Sequence, residues 1–286
     1  MSAVDLNSPA PTRKRSRLPL TLIVGLALVG IHVAIALLTL FWTPYDPNDM
    51  AGMRLEGPSL AHWAGTDRLG RDLFTQIMIG SRIAIQVGAG AVAIGAAIGV
   101  TLGVIAAFAT RTLDDALAAT LDILIAFPTL LLAMLVVAAG DGASLGSAII
   151  ALGVAISAIV ARLTRILAKR VLEMDYITAA RTSGTSWLAI VFIHLLPNIW
   201  PTLMVNFALQ FGLAVIAEAS LSYLGLGAPP PNASWGRLLQ EAQGTVYTAP
   251  FGAVAPGIAL VILVIGMNLL ADGLRDFADP TRRRGQ

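Results

Sequence analysis

The sequence predicts an all-α integral membrane protein built as a six-helix bundle. Three observations carry this. Hydrophobic residues make up 56% of the 286-residue chain and charged residues only 13%, against about 25% charged in a soluble domain. Mean hydropathy is +0.77. The apolar residues also fall into runs of the length a helix needs to cross a bilayer, about 20 residues, with Arg and Lys gathered at the ends of the runs.

The spans run about Leu20–Trp42, Ile83–Ala109, Leu117–Ala139, Leu145–Leu163, Ile199–Ala219 and Phe251–Ala271. Arg13-Lys14-Arg15 precedes the first, as in a secretory signal. Its apolar run of about 23 residues exceeds a signal core, and Pro44-Tyr45-Asp46-Pro47-Asn48 follows in place of a small-residue cleavage site, so it reads as a retained anchor. Residues 1–18 read as a disordered cytoplasmic tail and 19–286 as one membrane domain, with a long loop at about 164–198.

Orientation follows from the excess of basic residues on the cytoplasmic side of membrane proteins. With the amino terminus inside, only Arg54, Arg68, Arg71, Arg82 and Arg237 of the 19 basic residues lie outside. Both termini and the loop at 164–198 then face the cytoplasm. Two long segments, from Thr43 to Arg82 and from Ser220 to Pro250, face outward. The second contains Pro229-Pro230-Pro231, which is stiff and extended by composition.

Composition also narrows function. There is no cysteine, hence no disulfide framework and no thiolate nucleophile. The three histidines, His32, His62 and His194, are scattered. A hydrolase wants a converging nucleophile and base or a metal set, and this chain offers neither as a motif. A phosphate-binding P-loop needs Gly-Lys-Ser/Thr; the only lysines are Lys14 and Lys169, and neither follows glycine. The expectation is a chain that is not an enzyme, holds no cofactor or metal, and does not bind nucleic acid. Membrane lipid is the partner that composition itself requires.

Several intramembrane features have both a packing and a functional reading. Ala91, Gly95, Gly99, Gly103 and Ala107 recur every four residues. Small residues at that spacing let another helix approach closely, within the chain or at a subunit interface. Asp122 and Pro128 share the third span. Pro128 is placed to kink it. Asp122 lies near the cytoplasmic end, where it can pair with a base or mark a functional site. Asn206 and Gln210, one turn apart, share a face and are candidates for a translocation path or for interhelical hydrogen bonds. Arg162, Arg165 and Lys169 follow helical spacing into the cytoplasmic loop and read as a membrane-surface anchor.

The loop is longer than a connection between two spans needs to be. It includes Tyr176-Ile-Thr178-Ala179-Ala180-Arg-Thr-Ser-Gly184 and ends in His194-Leu-Leu196-Pro197-Asn198. This stretch resembles the coupling loop of bacterial ATP-binding-cassette importer permeases, whose pattern is Glu-Ala-Ala-x-x-x-Gly followed by a hydrophobic-Leu-Pro. Ala179, Ala180, Gly184, Leu196 and Pro197 match, and Thr178 stands in place of the Glu. Gly65-Thr-Asp-Arg-Leu-Gly70-Arg-Asp72 resembles the outer signature of the second permease of dipeptide, oligopeptide and nickel importers. Glu218 to Pro231 with Ser234-Trp235-Gly236, and Asn268 to Asp276 with Asp279-Pro280, resemble that family's outer loop and carboxy-terminal end.

The resemblance implies a type I importer permease bundle with a cytoplasmic coupling helix, in the bacterial cytoplasmic (inner) membrane. It implies a heteromeric complex with a second permease, two ATP-binding subunits and an extracytoplasmic solute-binding protein. Thr178, Ala179, Ala180, Gly184, Leu196 and Pro197 would couple ATP hydrolysis to alternating access. Di- or oligopeptides are the expected cargo, with nickel or a metal chelate as the alternative. A self-contained secondary transporter would be expected to carry charged relays or broken helices at mid-depth, for which the sequence has few candidates.

Overall fold

The structure, a computed structural model, describes residues 18–140, 142–229 and 232–278. Residues 1–17 of the tail expected to be disordered, Pro230 and Pro231 of the outer loop, and Asp279-Pro280 lie outside the described residues. Ten α-helical segments are described: α1 (Leu20–Leu38), α2 (Leu73–Phe108), α3 (Arg111–Ala126), α4 (Thr129–Ala139), α5 (Leu145–Leu172), α6 (Asp175–Thr182), α7 (Trp187–Ala189), α8 (Leu196–Tyr223), α9 (Trp235–Ala242) and α10 (Phe251–Ala278). A π-helical turn, Ile190–Leu195, joins α7 to α8 without a break. Five helical stretches are long and apolar enough to cross a membrane, and the α3–α4 pair makes a sixth if counted as one span.

The glycine stripe of α2 lies against α5. A methyl group added at Gly99 would stand 2.6 Å from Val160 Cβ and 2.7 Å from Ser157 O. At Gly103 it would stand 2.6 Å from Ala161 O, and at Gly153 of α5 it would stand 2.7 Å from Ile94 Cβ. The two backbones are therefore closer than any side chain on these residues would permit, and the packing reading of the stripe is the one realised. Ile83, Val87, Ala91, Leu152, Ile156 and Val160 are buried in the same cluster. α1 lies along α10 by a similar device, with Gly25 against the Leu270 backbone and Gly273 against Leu22.

Span boundaries differ most from the sequence expectation in four places. α2 begins at Leu73 rather than near Ile83. Gln76, Ser81 and Arg82 interrupt the apolar window there, but Gln76 is buried and its Nε2 donates to Pro47 O at 2.6 Å. At 36 residues the helix is about 54 Å long, so its outer end extends beyond a hydrocarbon core of roughly 30 Å. α5 continues to Leu172, past the expected end at Leu163, because the bases in its last turns find acidic partners on α3. The fifth span begins at Trp187 rather than Ile199. The third span, expected as one kinked helix, is two helices bent by 93°. Phe127 and Pro128 at the joint are extended, with ψ of 132° and 124°. Proline both lacks the donor and restricts the residue before it to extended backbone, so a break replaces a kink.

The outer signature builds a cap on the end of α2. Gly65 and Gly70 have φ of +81° and +84°, and added methyl groups would meet Glu56 O and Gly52 O at 2.4 and 2.5 Å. Asp67 accepts from Leu69 N and Arg71 N (2.8 and 2.9 Å) and from Arg71 Nε (2.6 Å). Asp72 is the N-cap of α2, accepting from Thr75 N at 2.7 Å, and His62 Nδ1 lies 3.0 Å from its other oxygen. Arg71 and Arg237 then share Glu241 of α9, at 3.0 and 2.8 Å. Trp235, buried at the start of α9, donates to Ile77 O at 3.0 Å and meets His32 of α1 edge-on. Glu218 accepts from Ser222 Oγ at 2.6 Å, and Gly236 sits directly on the Ala219 backbone.

Gly99→Val should lower thermal stability in detergent by about 1–3 kcal/mol, the usual cost of overpacking. Gly30→Ala is the matched control, because a methyl group there meets nothing within 4 Å, and it should raise helix stability by about 0.5–1 kcal/mol. Equal effects of the two substitutions would contradict the close α2–α5 contact.

Candidate coupling site

The cytoplasmic loop is a short helix held at both ends. α5 ends at Leu172, and α6 starts after Met174. Ile177 of α6 is 0% exposed. It packs with Ala168 and Val171 of α5 and with Ile190, Val191 and Leu195 of the π turn. Thr178, Ala179 and Thr182 lie on the exposed side, and Ala180 is half-buried. One apolar residue thus seats α6, and between the longer Tyr176 and Arg181 its outward face carries the short side chains of Thr178 and Ala179.

Gly184 ends α6 through a Schellman closure. Thr185 N donates to Ala180 O and Gly184 N to Arg181 O, both at 3.0 Å, the two bonds that define that motif. The glycine has φ of +81°, and an added methyl group would meet nothing within 4 Å. Glycine is therefore needed here for its backbone and not for space. Ser183 Oγ and Thr182 Oγ1 also donate to Ala179 O, each at 2.9 Å. After the turn, Ser186 Oγ caps the next helix by accepting from Ala189 N at 3.3 Å.

Leu196 and Pro197 stand in the first turn of α8, and Pro197 is exposed. The fifth span does not begin just after Pro197, as the expected start at Ile199 implied. The restart is at Ser186–Trp187, and the π turn immediately before Leu196 lets the helix run on to a residue with no N–H. Asn198 Nδ2 donates to His194 O at 2.8 Å and to Tyr176 Oη at 3.0 Å. The Tyr176 ring also stacks obliquely on His194, 6.1 Å between centroids. The amino-terminal end of α6 is thereby tied to the π turn. At its other end the Arg181 guanidinium lies 6.0 Å from the Phe108 ring centroid, and Phe108 meets Trp187 at 6.3 Å. Phe108 closes α2, so α6 is bracketed between α2, α5 and the fifth span.

Arg162, Arg165 and Lys169 are not a free surface anchor. Asp114 of α3, 5% exposed, accepts from Arg165 Nε and Nη2 at 2.5 and 2.8 Å and also from Lys169 Nζ. Arg162 pairs with Asp122 at 3.3 Å in an exposed setting. Asp114 and the Tyr176–Asn198 link were missed in the sequence. The signal for Asp114 was an acidic pair, Asp114-Asp115, in the first turns of one helix and three bases at helical spacing on another, but nothing local joins positions more than fifty residues apart.

Gln210 is 5% exposed, and Asn206 Oδ1 is buried without a hydrogen-bond partner among the described residues. Helical spacing puts both on the face that carries Ile199, Leu203 and Ala214, which are also buried. In this conformation the two amides lie within the packing of the single subunit.

Residues 99–284 match the family described as binding-protein-dependent transport system inner membrane component. The chain belongs to this family. Its members are type I ATP-binding-cassette importer permeases, and hydrolysis of ATP occurs in separate subunits. This permease is 38% identical over 260 residues to the dipeptide transport system permease protein DppC of Alkalihalophilus pseudofirmus, covering 90% of this chain and 85% of that one. It is 39% identical over 257 residues to the glutathione transport system permease protein GsiD of Pectobacterium atrosepticum, covering 88% and 85%. It is 40% identical over 258 residues to a putative peptide transport system permease protein of Brucella suis, covering 90% and 86%. Family membership and the five or six apolar helices make it a multi-pass inner membrane protein.

A β-branched residue in the left-handed region costs about 1–2 kcal/mol, whereas Asn visits it more readily. Gly184→Val should therefore open the turn after α6 and uncouple transport while membrane insertion is kept, and Gly184→Asn should do so much less. Protease sensitivity at residues 183–186 together with ATP-dependent uptake checks this, and normal uptake by Gly184→Val would count against it.

Proposed function

We propose that this permease imports di- or oligopeptides, delivered from outside by a solute-binding protein, and that α6 is the element through which two ATPase subunits act on it. The observation that carries the reading is α6 itself. It is an amphipathic helix of about two turns, seated by Ile177 and bracketed at both ends, whose exposed Thr178 and Ala179 are short enough to enter a groove on a partner. Ala180 and Gly184 supply the closure that ends it, and Leu196 and Pro197 belong to the helix that would receive its movement. The distribution of Arg and Lys supports a cytoplasmic position for this loop and for both termini.

The complex proposed contains a second permease subunit as heterodimer partner, with no cofactor bound by this chain. Asn206 and Gln210 would contribute to a path for a polar cargo in a conformation that separates α8 from its neighbours. Such a change needs different contacts for α6 in two states. Peptide cargo is favoured over nickel because relatives of 38–40% identity are named for dipeptide, glutathione and peptide transport.

Uptake of a labelled dipeptide and of labelled nickel, in cells with and without this gene and with and without ATP depletion, tests the cargo. Loss of energy-dependent dipeptide uptake alone is expected. Loss of nickel uptake alone would move the assignment to a metal-chelate importer, and loss of neither would remove both cargoes.

A further inference from the structure

α3 and α4 are fixed to the bundle in different ways. α4 buries Ala133 and Val137 in the main apolar cluster with α2, α5 and α8. α3 buries only Asp114 and Leu121. Its contact with α5 is a short row: Asp114 on Arg165 and Lys169, Leu121 and Ile125 on Ala158 and Ala161, and Asp122 on Arg162. Between the two helices the backbone is extended at Phe127 and Pro128, and the chain turns by 93°. No intrahelical bond crosses a proline nitrogen, so a change of angle at this joint breaks no helix.

The cations of the row stand in the last turns of α5, directly before α6. Ala168 and Val171, from the same turns, form the seat of Ile177. Displacing α6 therefore acts on the segment of α5 that holds Arg165 and Lys169. Asp114 is the buried member of the cluster and is held in bidentate fashion by Arg165, a geometry that fixes orientation as well as distance. Losing one partner of a buried pair leaves the remaining charge uncompensated, so the row resists separation at this end more than at the exposed Arg162–Asp122 end.

We propose that the Asp114–Arg165–Lys169 cluster is a latch that makes α3 move with α5 and α6, with Phe127–Pro128 as the joint against α4. The latch rests on the coupling role proposed for α6. Asp114 is a positioning residue: it touches neither nucleotide nor cargo. Movement of α6 reaches the third span through it.

The test uses the full complex of both permeases, the ATPases and the binding protein in proteoliposomes, with uptake of a labelled dipeptide and ATP hydrolysis measured together. Asp114→Asn should keep hydrolysis and lower uptake per ATP by about ten-fold, within the usual range of coupling effects. This chain has no cysteine of its own, so Leu121→Cys with Ala161→Cys gives a unique pair to join α3 to α5 with a reducible thiol crosslinker. Crosslinking should restore uptake to Asp114→Asn, and reduction should remove it again. A simple loss of folding would show neither change.

If Asp114→Asn does not assemble, the crosslinked chain with Asp114 intact decides the matter. Normal uptake is expected, and arrest would overturn the latch, because α3 would then have to leave α5. Unchanged uptake per ATP in Asp114→Asn also overturns it. Ala179→Trp, on the exposed face of α6, separates the two proposals. If it uncouples while Asp114→Asn does not, the latch alone falls. If it leaves uptake per ATP unchanged, the coupling role of α6 falls and the latch with it.

Discussion

The contact on which the rest of this structure depends is the backbone-to-backbone approach of α2 and α5. Lipid tails are as apolar as leucine, so burying apolar surface gives helices little reason to associate within a bilayer; close packing must supply it. Gly95, Gly99 and Gly103 remove the side chains that would hold the helices apart, and Gly153 does the same from the other side. What fills the space is the branched edge of Ile94, Ile156 and Val160. The pair then acts as a beam. The outer end of α2 projects from the membrane and carries the cap built by residues 43–72, while its inner end delivers Phe108 to the side of α6. The inner end of α5 carries the seat of Ile177.

A polypeptide inside a bilayer has to satisfy every backbone group internally, and the irregular points of this chain can be read in that light. The Gly184 turn lies in the polar loop, where the Schellman bonds and exposed hydroxyls meet the need. The π turn keeps the fifth span continuous up to Pro197, where a simple α-helix would have lost a bond. At Phe127–Pro128 the proline has no donor to leave unpaired. The Gly65 and Gly70 turns are in the outer cap, and Asp67 takes up the amides of Leu69 and Arg71.

Much of this was legible in the sequence. Apolar runs and terminal bases gave the class and the approximate spans, because the bilayer imposes a length and a polarity on every crossing helix. The glycine stripe was legible as a groove, and the Ala179-Ala180…Gly184 pattern as a helix with a stop. What was not legible falls where tertiary partners neutralise a polar residue. Gln76 and Ser81 look like loop residues until Pro47 O and Ile77 O are seen to accept from them. Arg165 and Lys169 look like a loop until Asp114 is seen beneath them. Pro197 looks like a helix start because a π turn leaves no mark in composition. The 93° angle of α3 to α4 depends on what each packs against, and the sequence shows only that a proline stands between them.

The two ends of the molecule are joined by different chemistry, and this bears on how a permease could change shape. At the outer end the links are many and mixed: a buried tryptophan indole, a capped helix start, a carboxylate shared by two arginines, and glycine contacts tight enough that a methyl group would not fit. Interdigitated packing of this kind does not deform continuously; it holds or it switches. At the inner end α6 is attached through one buried isoleucine, a tyrosine–asparagine bond and the Arg181 guanidinium on the Phe108 ring, and α3 through one buried carboxylate and a short apolar row. Few contacts hold these elements, so comparatively little work moves them. Both attach to the same last turns of α5, so the proposed latch would pass a push on either to the other before it meets the resistance of the α2–α5 beam.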